Sequence, residues 1–214
     1  ISTNGWYYEK YRTQIVESGV KFIQISLDGP KHLHERFRGV ANSYNKAISA
    51  LKLAKEDGMF TQMNVTITSN NIDSLKWNYD KAKQLGIDRV FYRRVVPSGK
   101  AEKNRFVLPN IQKYYQSIVE LSKLSSDKLI VSIDDPILSV LSNNDNDGYL
   151  GCGAGINNLG ISSNGDIFPC IFLRNKLGNI METTLIEVWN ESLVLKKLRN
   201  REIVGCGECT HKNS

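Results

Sequence analysis

Three runs of strong strand formers, 21–27 (KFIQISL), 60–68 and 88–96, are each followed by a segment whose apolar residues recur at helical spacing. That alternation leaves few folds open, because strands that run parallel need a crossover and a helix is its usual form. Ahead of the first run, residues 2–5 (Ser-Thr-Asn-Gly) read as a turn and 6–18 as a helix stopped by Gly19. The first crossover helix, capped by Asn42 or Ser43 and ended by Gly58, presents Tyr44, Ala47, Ile48, Leu51 and Ala54. The second presents Ile72, Leu75, Tyr79 and Ala82 and stops at Gly86. The third starts at Pro109, with Ile111, Tyr114, Tyr115, Ile118 and Leu121 as its buried stripe. Residues 1–124 therefore predict an α/β unit, a parallel sheet covered by helices.

In such sheets ligands gather at the carboxyl ends of the strands. The polar loops fall there: Ser26-Leu27-Asp28-Gly29, Thr68-Ser69-Asn70-Asn71 and Pro97-Ser98-Gly99. After Pro30 comes a stretch with His32, His34, Arg36 and Arg38 that reads as a polar loop. The run 60–68 is two-sided, with Met63, Val65 and Ile67 alternating with Gln62, Asn64 and Thr66.

Beyond residue 124 the character changes. A short strand at 128–133 and a polar loop at 142–148 fall in or near a linker, 125–150, after which the elements are short and glycine-rich. One late helix stands out. Thr184 caps it, Glu187 completes a capping box, and Val188, Trp189, Leu195 and Leu198 give its apolar face. All four cysteines lie in this part: Cys152, Cys170, Cys206 and Cys209. Such a segregated thiolate set suits zinc or an iron–sulfur centre. Cys206 and Cys209 form a C-x-x-C knuckle, and the tight turn Asn164-Gly165-Asp166 would swing Cys170 back toward Cys152. Spacing alone leaves both metals open, since a zinc ribbon commonly uses two knuckles and one is present.

The chain carries no apolar run long enough to span a bilayer and no signal peptide, so the four cysteines point to a reducing cytoplasm and to metal ligation before disulfides. Its net charge of +6 comes from 28 basic and 22 acidic residues spread through helices and turns, which disfavours a nucleic-acid partner.

The pattern Cys152-x12-Gly165-x4-Cys170, then Cys206-x2-Cys209, resembles the SPASM domain of radical S-adenosylmethionine (SAM) enzymes. The front half agrees. Residues 25–30 (ISLDGP) followed by 34–39 (HERFRG) resemble the fourth strand of a radical SAM barrel and its loop; Ser-Thr-Asn-Gly at 2–5 and the 93–99 stretch resemble the ends of the third and sixth. The resemblance implies a partial (β/α)6 radical SAM barrel over 1–124 and a small α+β cysteine-ligated SPASM domain over 151–214. It implies that Ser26 and Arg38 bind the methionine carboxylate of SAM, and that Cys152, Cys170, Cys206 and Cys209 ligate auxiliary 4Fe-4S clusters. Arg38 pairing instead with Asp28 or Glu35 is the plain structural alternative. His32 and His34 receive no role, and no residue is singled out as catalytic.

Two departures shape the expectation. The C-x3-C-x2-C motif of the SAM-cleaving cluster is absent, and the next SPASM cysteine would fall at position 215, so truncation at both ends is expected. Ile171 follows the second SPASM cysteine where sulfatase-maturing relatives carry an aspartate, which counts against that activity. What the resemblance implies is a cytoplasmic enzyme acting by a 5′-deoxyadenosyl radical on a peptide or protein, served by an electron donor such as a flavodoxin or ferredoxin. The alternatives are a non-catalytic four-cysteine zinc module, and a cofactor-biosynthesis enzyme with a small-molecule substrate.

Overall fold

The computed structural model describes residues 1–98, 101, 108–135, 153–200 and 202. The chain divides into two compact units, Ile1–Asp134 and Asp135–Ser214.

In the first unit the elements run β1 (Ser2–Thr3), α1 (Tyr8–Glu17), β2 (Phe22–Ser26), α2 (Lys31–Arg38), α3 (Ser43–Glu56) and β3 (Phe60–Ile67). A short 3-10 turn at Ile72–Ser74 leads into α4 (Leu75–Leu85), then β4 (Arg89–Arg94), α5 (Ile111–Ser122) and β5 (Ile130–Asp134). The five described strands lie in chain order and all pair parallel. One face carries Ile23, Ile25, Met63, Val65, Ile67, Val90 and Tyr92, all essentially without solvent contact. Burying side chains of this kind contributes about 1.5–3 kcal/mol each, which fixes the side the helices cover. The other face is polar, as the alternation of 60–68 predicts, with Gln24, Ser26, Gln62, Asn64 and Arg89 brought side by side by the register.

Five details of this unit differ from the sequence reading, the first being that Ser2–Thr3, read as part of a turn, is a strand paired with β2. The stretch after Pro30 is a helix, α2, not a loop. Pro30, at φ −52°, leads the chain into it, Leu33 and Phe37 give an i,i+4 apolar pair beneath its charges, and Gly39 ends it at φ +67°. The strand expected in the linker is the sheet's fifth, with Arg89 opposite Ile130 and Arg93 opposite Asp134, so the first compact unit runs to Asp134. In α5 the buried stripe is Tyr114, Ile118 and Leu121, while Ile111 and Tyr115 face solvent; the cap is Asn110, whose side chain accepts from the amides of Gln112 and Lys113. Asn42 precedes α3 without capping it: it sits at φ +65° and its Oδ1 accepts from the Asn45 side chain.

The second unit holds an antiparallel sheet of β6 (Gly160–Ile161), β7 (Asp166–Phe168) and β8 (Gly178–Asn179), then α6 (Leu185–Glu191) and α7 (Leu193–Arg199). The Thr184–Glu187 capping box forms. The single late helix of the sequence reading is two, because Ser192 is extended at ψ 118° and its hydroxyl caps α7 by accepting from Leu195 N–H. Ile167, Val188 and Leu195 form a small core, flanked by Leu159, Leu177, Trp189 and Leu198. Among the described residues no helix is long and apolar enough to cross a membrane.

Candidate cofactor and cluster sites

At the carboxyl ends of β2 and β3 the loops are tied together by buried polar side chains. Asp28, two residues past β2 and 1% exposed, is the centre. Its Oδ2 accepts from Arg38 Nε at 2.7 Å, and its Oδ1 from the Thr66 N–H at 3.0 Å. Its carbonyl accepts from Asn71 Nδ2 at 2.8 Å. The same Asn71 amide reaches the Thr66 carbonyl at 2.8 Å, while its Oδ1 accepts from the Thr68 N–H at 2.8 Å. Asn78, on α4, donates to the Leu27 carbonyl at 2.7 Å. These residues satisfy backbone groups that leave the sheet at its edge, where no neighbouring strand serves them.

His34 is buried beside Asp28. Its Nδ1 lies 3.1 Å from the Asp28 amide nitrogen and 3.2 Å from Oδ2. A neutral Nδ1 accepts from the amide; a protonated one donates to the carboxylate. Burial alone would push the Asp28 carboxyl up, but hydrogen bonds from His34, Arg38 and the Thr66 amide, with the Arg38 charge, outweigh it and hold the group below the usual carboxylate range. Asp28 is thus an anion.

Both sequence candidates at this edge are present. Ser26 ends β2, half-buried on the polar face, and its hydroxyl makes no hydrogen bond to a described residue. Arg38 pairs with Asp28, one of the two partners the plain alternative named. It does so through Nε alone; its side chain stays 30% exposed, and its two terminal nitrogens have no partner among the described residues. The pairing therefore leaves the fork end of the guanidinium available to an anion. Next along the polar face, Gln62 donates to Gln24 and Asn64 and accepts from Arg89 at 3.3 Å.

In the second unit, Cys170 is half-buried and free, and its Sγ accepts from the amides of Phe172 and Leu173, each at 3.3 Å. Two N–H···S bonds are the surroundings in which a cluster-ligating sulfur is tuned. The turn before it forms as predicted, with Gly165 at φ +85°. Gly155 N–H donates to the carbonyl of Pro169, which sets the glycine-rich segment that follows Cys152 in sequence beside Cys170's own segment. Cys152, Cys206 and Cys209 lie outside the described residues. The same unit has a groove of about 480 Å³ lined chiefly by Ile161, Ile180, Met181 and Leu185, with no reactive group beyond Glu182 and Glu187.

The sequence reading named Asp28 only as a possible partner of Arg38 and gave His34 and Asn71 no role. Asp28-Gly29-Pro30 read as a strand stop and Asn71 as part of a turn. The signal for His34 was its place four residues after Pro30, one turn into a helix that its charged neighbours disguised.

Residues 152–210 match the SPASM model, an iron–sulfur cluster-binding domain. The chain is similar to the AdoMet-dependent heme synthase of Oleidesulfovibrio alaskensis, at 27% identity over 94% of this chain and 57% of that protein. It is similar also to the antilisterial bacteriocin subtilosin biosynthesis protein AlbA of Bacillus subtilis, at 25% identity over 92% of this chain and 43% of that one. The crystal structure of Streptococcus suis SuiB bound to S-adenosylmethionine superposes with a TM-score of 0.76 at 20% identity, covering all of this chain and 53% of SuiB. The chain thus spans about half the length of these proteins. The fold is the one expected, a partial radical SAM barrel followed by a SPASM domain.

Proposed function

We propose that a chain with this fold works within an enzyme that uses S-adenosylmethionine and iron–sulfur clusters to take hydrogen from an organic substrate. One observation carries the reading: Arg38, at the end of α2 eight residues after the Ser26-Leu-Asp-Gly-Pro run, is tied to Asp28 with its terminal nitrogens free of hydrogen bonds among the described residues. A guanidinium fork grips a carboxylate at two points, and the Ser26 hydroxyl would add a third bond, so both residues suit the methionine end of SAM. Cys152, Cys170, Cys206 and Cys209 would hold auxiliary 4Fe-4S iron, and the two amides at Cys170 Sγ suit a bound thiolate. When bound, SAM and its cleaving cluster supply a 5′-deoxyadenosyl radical. This chain's own part is to fix SAM by its carboxylate and to hydrogen-bond a cluster-ligating sulfur with backbone amides. An electron donor of the flavodoxin or ferredoxin kind and a cytoplasmic setting complete the proposal.

For the substrate, the likeness to SuiB carries fold alone, so sequence relatives weigh more. The heme synthase favours a heme-related tetrapyrrole, a small-molecule substrate. The peptide substrate implied by the sequence resemblance is the second reading, favoured by the bacteriocin biosynthesis protein AlbA. Protein expressed from the complete reading frame, reconstituted without oxygen, tests the whole proposal by assay of iron, sulfide and zinc and of 5′-deoxyadenosine released from SAM. Iron and sulfide with SAM cleavage support it; one zinc, no sulfide and no cleavage would leave the zinc module standing instead. Titration with an iron-bound tetrapyrrole separates the substrates, since a saturable shift of its visible band is expected on the first reading and none on the second.

A further inference from the structure

The contacts of Arg38 explain how it would present itself, and they involve a residue with no assigned part in binding. A free arginine side chain samples many rotamers, and its guanidinium has two edges on which an anion can settle, the Nε side and the outer fork. Here one edge is taken. Nε donates at 2.7 Å to Asp28 Oδ2, which occupies the Nε side of the planar guanidinium and leaves the outward edge between its two terminal nitrogens open. Asp28 in turn cannot swing. Its Oδ1 is held by the Thr66 amide on β3, its carbonyl by Asn71 and its amide or Oδ2 by His34, and it is 1% exposed. The charged or titratable groups facing it are Arg38 and His34, both from α2; β3 and the loop after it contribute an amide and Asn71.

We infer that Asp28, steadied by His34, is a positioning residue: it fixes the Arg38 guanidinium by its Nε edge so that both terminal nitrogens meet the carboxylate of incoming S-adenosylmethionine together. This rests on the reading of Arg38 as the carboxylate grip. Binding an ordered fork costs less conformational entropy than ordering a free one, so the contribution of Asp28 is made in advance of the ligand. Asp28 touches neither SAM nor substrate in this account, and its effect passes wholly through Arg38.

The test is a comparison of two ligands on three proteins, made from the complete reading frame and with iron content checked. S-adenosylmethionine and its decarboxylated analogue are titrated by calorimetry into the wild type, Arg38→Ala and Asp28→Asn. Asp28→Asn keeps the shape and removes the charge. It is expected to weaken SAM about tenfold, a fraction of a charged hydrogen bond's worth, and to leave the decarboxylated analogue unchanged. Arg38→Ala is expected to weaken SAM further and likewise spare the analogue. If Asp28→Asn weakens both ligands alike, Asp28 supports the fold only and the positioning role is refuted while the Arg38 reading survives. If Arg38→Ala leaves SAM affinity unchanged, the Arg38 reading itself fails and takes the inference with it. Should Asp28→Asn not fold, nitrogen-15 spectra of arginine side chains in the ligand-free wild type decide the matter, with Arg38→Lys assigning the signal. A slowly exchanging Nε–H at Arg38 supports the inference, and exchange as fast as that of a solvent-exposed arginine overturns it.

Discussion

Asn71 offers the sharpest check on the tied loops. It is 5% exposed and uses its whole amide: Nδ2 serves the carbonyls of Asp28 and Thr66, and Oδ1 serves the amide and hydroxyl of Thr68. Asn71→Ala would strand two carbonyls and one amide where water has little access. A buried polar group without a partner costs about 1–3 kcal/mol, and the three share one site, so roughly 3 kcal/mol is expected rather than their sum. Urea unfolding measures it. Trp6 and Trp77 report on the first unit, and a Trp189→Phe background silences the second. With a slope of about 1–3 kcal/mol per molar, the midpoint should fall by roughly 1–3 M. Asn71→Asp adds a sign test. It keeps the acceptor for Thr68 but turns a carboxylate oxygen toward two carbonyls, which raises its folded-state pKa. The penalty is then full at neutral pH and shrinks as pH falls toward about 4 and below, where the protonated acid can donate again. A loss below about 0.5 kcal/mol for Asn71→Ala, the size of a surface substitution, would refute the claim that this side chain ties the two strand ends.

Three further outcomes follow from the same geometry. Because the Asp28 carboxyl is held below its unfolded value, its stabilisation is fully present above about pH 4 and is lost as pH falls through the lower folded value; Asp28→Asn should flatten this acid limb of the stability curve. Gly165→Ala places a Cβ 2.8 Å from Asn179 Oδ1 at φ +85°, so the second unit should lose about 1–3 kcal/mol, read by Trp189 fluorescence in urea. Cys170→Ser should lower iron and sulfide together in anaerobically reconstituted protein, whereas a parallel loss of zinc alone would favour the zinc module.

The repeating strand and helix pattern made the parallel sheet readable, because apolar periodicity reports which face is covered and that is decided by local sequence. The polar face of β3 was readable for the same reason. What escaped was tertiary override. Lys31–Arg38 carries six charged or imidazole side chains in eight residues and reads as loop, yet Pro30 and Gly39 bound a helix whose inner side is Leu33, His34 and Phe37. The 130–134 strand looked detached because its partner, β4, lies more than 30 residues earlier in the chain. Ser192 broke the late helix by using its hydroxyl as a cap, a choice that an apolar stripe crossing position 192 conceals.

At the candidate sites the division is chemical. Residues that would touch a ligand, Ser26 and Arg38, were legible through the resemblance of 25–30 and 34–39 to a radical SAM strand and its loop, and their types suit a carboxylate. The residue that holds Arg38, Asp28, is itself fixed largely through backbone atoms, and a backbone partner leaves no mark on spacing. Asp28 shows the consequence. A carboxylate two residues beyond a strand is ordinary turn chemistry, and only its burial under four satisfied contacts makes it an anion fixed in place. The plain alternative for Arg38, an ion pair with Asp28, and its proposed role are therefore not rivals. The pair uses Nε, the grip would use the terminal nitrogens, and the first arranges the second.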